Sequence, residues 1–189
     1  MKRKWSLLTI LIIVIIITFA IIYWFFMGGK SGGVEGFTNG SEYTIKISEG
    51  ASTGMNNYTV TDSSGKTLYT VADGKWNLDE ETFTIDGINV SKGGDGLFTF
   101  VLSGETVTVG VYSRDYCGKI GLTDDTLYCE KSGLTLNFKS AKAVIGTAKL
   151  GDGSIDLQLS PNYTDLLPVF VIFLIIYVQY QKDSGISYD

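Results

Sequence analysis

From Trp5 to Phe26 the chain carries no charge and almost no polar side chain. A run of about 20 such residues matches the hydrocarbon thickness of a bilayer, so it predicts a transmembrane helix over 5–27. A cleaved signal peptide is the rival, but its apolar stretch is usually about 7 to 15 residues and ends at a small-residue cleavage site, so the reading here is a retained signal-anchor. Lys2, Arg3 and Lys4 make the preceding tail, 1–4, basic, whereas the far side carries only Lys30 before Glu35 and Glu42. Basic flanks stay cytoplasmic, which places whatever follows on the non-cytoplasmic side. Trp5 at one end and Tyr23, Trp24 and Phe26 at the other supply aromatic rings near the headgroup levels, although aromatics also simply fill apolar runs. A glycine-rich stretch over 28–41 reads as a flexible stalk.

Beyond residue 42 the period changes to two. Tyr43 to Ile47 and Tyr58 to Thr61 alternate apolar and polar side chains, the mark of strands with one face buried. Between the second run and Lys66 to Val71 lies Asp62-Ser-Ser-Gly65, whose residue types suit a hairpin turn. Further strands are expected at 83–85, 87–90, 97–102, 106–112, 126–130, 134–138, 143–150 and 155–159, nearly all separated by glycine. So many short strands imply antiparallel meanders that close into a barrel or pack as two sheets, leaving few open edges.

The last apolar segment behaves differently. After Asn162-Tyr-Thr-Asp165 the chain is apolar from Leu166 to Val178, with Pro168 tolerable in a first turn. The uninterrupted core is about 13 residues, a length more typical of a buried helix than of a span. A helix over about 165–180, carrying Leu166, Phe170, Phe173 and Ile176, is apolar on every side and has to be surrounded by protein if it is not in lipid. At about 24 Å it fits the depth of a strand barrel. The expected domain, 42–189, is therefore α+β: a closed antiparallel barrel of about twelve strands around a buried C-terminal hydrophobic helix.

Composition narrows the function. The 189 residues leave one domain's worth after the anchor and stalk, and 23 glycines against 2 prolines fit a turn-rich β domain. A net charge of -5 disfavours a nucleic-acid partner. The chain has no histidine, which removes the commonest general base and metal ligand, and no nucleophile stands beside a recognisable base. The expectation is a chain without enzymatic activity or cofactor.

Cys117 and Cys129 are the only cysteines. In an oxidising compartment they could bridge, closing a loop worth about 3 kcal/mol in the chain-entropy picture; elsewhere they would be free thiols. Two thiolates without histidine are a poor zinc site. Asn39, Asn57, Asn89 and Asn162 head Asn-x-Ser/Thr sequons, which are glycosylation acceptors outside the cytoplasm and also arise by chance in a Ser/Thr-rich chain. The acidic clusters at 79–81 and 124–125, with Asp95 and Asp152 beside glycines, lack a calcium-loop pattern and read as solvated turns.

The early hairpin Tyr58 to Val71, the late strand Ser154 to Leu159 followed by Asp165 and an apolar helix, and the run of strands between them resemble the tubby-like domains, which include the LURP-one-related proteins and the phospholipid scramblases. The resemblance covers nearly everything after the stalk and implies a twelve-stranded closed barrel around a C-terminal helix. Two departures weigh on function: here a separate N-terminal span exists, and the basic phosphoinositide cavity of tubby proteins has no counterpart in so acidic a chain. The resulting expectation is a single-pass, membrane-anchored structural or binding module that contacts the bilayer through its N-terminal helix and protein partners within a membrane assembly. Two alternatives stand beside it: a scramblase-like lipid-binding or lipid-transfer protein, and a minor structural membrane protein of a virion with two transmembrane helices.

Overall fold

The chain divides into two units, Met1–Gly36 and Phe37–Asp189. The computed structural model describes residues 40–50, 54–77, 79–112, 116–141 and 143–185. The expected anchor with Trp5, Trp24 and Phe26, nearly all of the stalk, and Asn39 lie outside the described residues.

Thirteen strands follow one another: β1 (Ser41–Ser48), β2 (Asn57–Asp62), β3 (Thr67–Val71), β4 (Lys75–Trp76), β5 (Glu81–Ile85), β6 (Ile88–Lys92), β7 (Phe98–Leu102), β8 (Glu105–Val111), β9 (Tyr116–Gly121), β10 (Thr126–Ser132), β11 (Thr135–Lys139), β12 (Val144–Gly151) and β13 (Ser154–Leu159). A 3-10 segment, Pro161–Leu166, then leads into the helix α1, Leu167–Asp183. Eleven strands coincide with expected ones to within two residues. β4 has only two residues, too few to reveal a period, and β9 is interrupted by Gly118, so both were missed by alternation.

All pairings are antiparallel in one sheet, ordered β3-β2-β1-β13-β12-β11-β10-β9-β8-β7-β6-β5-β4. The first strand pairs with the last, Ser41 opposite Leu159, so the chain enters the domain beside the point where the strands end. This order corrects the expected closure of the ladder: among the described residues thirteen strands, near the expected dozen, form a ladder with two ends, β3 and β4. The free edge of β4 is met instead by a single bridge from Lys75 to Gly54. Yet the two edge strands are consecutive in sequence and joined only by residues 72–74, and so short a link keeps the edges near one another. At that link Met55 is buried with its sulfur against Gly74, where a Cβ would have no room.

The curl of the sheet has a clear cause. Each of the thirteen strands contributes at least one buried side chain to a single apolar cluster, which also holds Leu167 and Val169 to Val178 of α1. Phe170, Phe173 and Ile176 are wholly buried, and Leu166 is half-buried in the 3-10 segment. An all-apolar helix has no face to give to water, so the sheet surrounds it. Against the expected 165–180, α1 starts two residues later, because Pro161 and Thr164, whose hydroxyl bonds the Pro161 carbonyl, hold the preceding turn in 3-10 form.

Candidate functional site

The interior is filled by side chains. Phe138 meets Phe170 and Phe173 edge-on, with centroids 4.9 and 5.3 Å apart. Where α1 approaches β9, Gly118 has φ +156°, and a Cβ there would lie 2.8 Å from the Phe173 ring and press on the Gly110 carbonyl. The helix axis can come this close only over glycine.

Polar groups gather at the far end of α1. Gln179, fully buried, donates from Nε2 to the Gly54 carbonyl (2.7 Å), while its Oε1 accepts from the Asn56 amide (3.3 Å) and the Tyr58 hydroxyl (3.4 Å). Burial pushes the Tyr58 hydroxyl far above its ordinary pKa. Trp76 Nε1 donates to Asp183 (2.5 Å), and its ring stacks on Phe98 and meets Tyr180 edge-on. Tyr180 in turn donates to Glu81 (3.2 Å), which pairs with Lys92 at 2.6 Å. Burial would lower Lys92, but its hydrogen bonds to Glu81 and Tyr180 and the Glu81 charge outweigh that and hold the ammonium above its ordinary range. Each of these groups is engaged in pinning the helix in place, which marks the cluster as a fastening.

Of the residues singled out from sequence, Cys117 and Cys129 lie on the adjacent strands β9 and β10, buried, with Cα atoms 5.1 Å apart and the sulfurs bonded. A register shift between Cys129 and Glu130 accommodates them. Asn89 is exposed on β6, where its side-chain oxygen accepts from the Thr84 hydroxyl; Asn162 is exposed in the 3-10 segment; Asn57 is half-buried at the start of β2 and donates to the Glu49 carbonyl. Most of the acidic residues lie in turns: Asn77 caps the Asp79 and Glu80 amides, Asp95 accepts from Leu97, and Asp125 from Thr126; Glu81 departs from the expected solvated turn, because it is the half-buried first residue of β5 and pairs with Lys92. Among the described residues no three His, Cys, Asp or Glu side chains come together as a metal site.

Sequence reasoning missed the outer face of the sheet from β1 to β9. Residues directly opposite one another in antiparallel strands share a face. Glu42, Gln158, Thr147, Asn137, Glu130 and Tyr116 are successive partners across β1, β13, β12, β11, β10 and β9 and so form one row. A trough of about 340 Å³ opens at its β1 end, lined among others by Glu42, Thr44, Thr147, Lys149, Asp156 and Gln158. At the β9 end three exposed tyrosines lie together: Tyr112 stacks on Tyr116 (5.6 Å, 23°), and Tyr128 leans on Tyr116 at 6.3 Å. Between these ends sits Asn137, only 7% exposed although it points away from the core, and its Oδ1 is a buried side-chain oxygen without a hydrogen-bond partner among the described residues. Only pairing register reveals this grouping, because the six residues are spread from 42 to 158.

No family model, curated protein or solved structure matches the chain.

Proposed function

We propose that the chain is a non-catalytic, single-pass membrane-anchored module whose β domain serves as a structural or binding part of a membrane assembly on the non-cytoplasmic side. The observation that carries this reading is the occupied interior. Val169 to Ile176 are all at 0% exposure, so the space where a barrel would enclose a substrate or an acyl chain is taken by the protein's own helix. What the domain offers a partner is therefore its outer surface. The bonded pair Cys117–Cys129 suits an oxidising compartment, in keeping with the orientation read from the basic tail. The tubby-like resemblance belongs to the same proposal: the short link between β3 and β4 supports a barrel closed by packing across a seam that carries no ladder.

A second reading rests on one observation. An 18-residue window within the helical stretch Pro161–Asp183 has a mean hydropathy of 1.7, enough to cross a membrane by length and composition, although 72% of that window is buried in protein. A chain with two spans would place both termini on one side. Protease protection of tags before Met1 and after Asp189 in sealed membranes separates the readings: termini on opposite sides support the single anchor, and termini on the same side overturn it. The scramblase-like alternative requires lipid to be bound or moved; the anchor-deleted domain is expected to stay with the soluble fraction in liposome flotation, and its co-flotation would favour that alternative.

A further inference from the structure

We infer that the outer row running from Glu42 to Tyr116, with the tyrosines beside it, is a binding site for a neutral oligosaccharide. This rests on the binding-module reading and names the ligand class.

Three features combine. The first is the Oδ1 of Asn137, without a hydrogen-bond partner among the described residues, on a side chain 7% exposed in the middle of the row. A buried carbonyl oxygen without a donor is costly, and a ligand hydroxyl or N–H that reaches it would supply the missing bond. The second is the trough at the β1 end, whose lining mixes a threonine pair, Thr44 and Thr147, the amide of Gln158, the carboxylates of Glu42 and Asp156, and the ammonium of Lys149. Mixed signs at close quarters favour hydroxyls, which both donate and accept, over an ion of either charge. The third is the tyrosine platform, where Tyr112, Tyr116 and Tyr128 are 43%, 39% and 41% exposed. Each presents a flat apolar ring with a hydroxyl at its rim.

A chain of several sugar rings is the ligand that uses all three. One face of each ring is lined by C–H groups and stacks on an aromatic plane, while its rim carries hydroxyls that amides and carboxylates bind. The row crosses five inter-strand spacings, a path of about 24 Å along the curved sheet, which takes several rings following that curve. A proline-rich peptide also docks on aromatic surfaces, but proline has no N–H to offer the Asn137 oxygen, so that occupant fits less of the row.

The test uses the full chain in phosphatidylcholine nanodiscs, free of sugar-based detergent. Cellotetraose, chitotetraose, mannotetraose and lacto-N-tetraose are titrated by saturation-transfer NMR and tyrosine fluorescence. The expected result is saturable binding of at least one of them, weakened about tenfold or more by Tyr116→Ala and by Asn137→Leu, with Val101→Ala, on exposed β7, unchanged. Asn137→Leu is also expected to keep or raise the melting temperature of the unliganded protein, since it removes the unpaired oxygen; if that variant does not fold, Tyr128→Ala takes its place. Absence of binding by all four sugars, binding that survives both substitutions, or binding of a proline-rich peptide instead would overturn the assignment. Topology does not enter the assay, so this proposal and the anchoring proposal fail separately.

Discussion

At Gly118 a single missing methyl sets how close the helix lies to the sheet. Its φ of +156° is costly for any side chain, and the Cβ position is already taken by the Phe173 ring and the Gly110 carbonyl. Gly118→Ala is expected to cost on the order of 3 kcal/mol, combining backbone strain with overpacking. Adding Phe173→Leu should return only the steric share, which urea denaturation of the single and double variants measures; a fully additive pair would contradict the contact described here. The tyrosines give a second residue-scale expectation. Burial raises Tyr58 most and also raises Tyr177 and Tyr180, so these hydroxyls stay protonated in the folded protein when the unfolded chain ionises near pH 10. Above that pH the unfolded state holds fewer protons, and stability falls as pH rises; below about pH 9 these groups leave it unchanged. Melting temperatures taken across the alkaline range test the sign, and a protein whose stability is level through pH 11 would refute the burial of Tyr58 as described.

Among the elements, α1 is held by two unlike ends. Its body is fixed by apolar contact alone, which resists displacement but specifies neither depth nor rotation sharply. Depth is set where Gln179 meets Gly54, Asn56 and Tyr58. Gln179→Leu keeps the volume but leaves the buried Tyr58 hydroxyl and the part-buried Gly54 carbonyl and Asn56 amide without their partner, and about 1–3 kcal/mol of stability should be lost by thermal or chemical denaturation. A loss indistinguishable from that of Val101→Ala, a change on the exposed face of β7, would mean the glutamine is not a fastening. The strands illustrate what alternation can and cannot convey. β1, β2 and β13 were legible because apolar and polar residues alternate cleanly over five or more positions. β9 was not, because Tyr-Cys-Gly-Lys places a glycine and a half-cystine where a periodic apolar residue would otherwise announce the strand.

For the whole molecule the weak line is the seam. β3 and β4 are the two ends of the ladder, β4 is two residues long, and β10 to β12, in the interior of the ladder, are paired on both sides. Amide hydrogen exchange is expected to be fastest in β3 and β4 and slowest in β10 to β12 and in Val169 to Tyr177 of α1, since local opening begins where few hydrogen bonds must break. Uniform protection across all thirteen strands would show that β3 and β4 are held by more than the ladder described here.

The chain's own pattern determined a mostly β domain, the place of nearly every strand, the early hairpin and an apolar helix at the end, because burial of one face or of every face is written residue by residue as hydropathy. It also raised the choice between lipid and protein as that helix's surroundings, and chose protein from length. Tertiary structure alone decided the strand order, the pairing of the first strand with the last, the open seam and the row from Glu42 to Tyr116. Those depend on which distant strands become neighbours, and hydrogen-bond register between segments more than a hundred residues apart leaves no trace in local sequence.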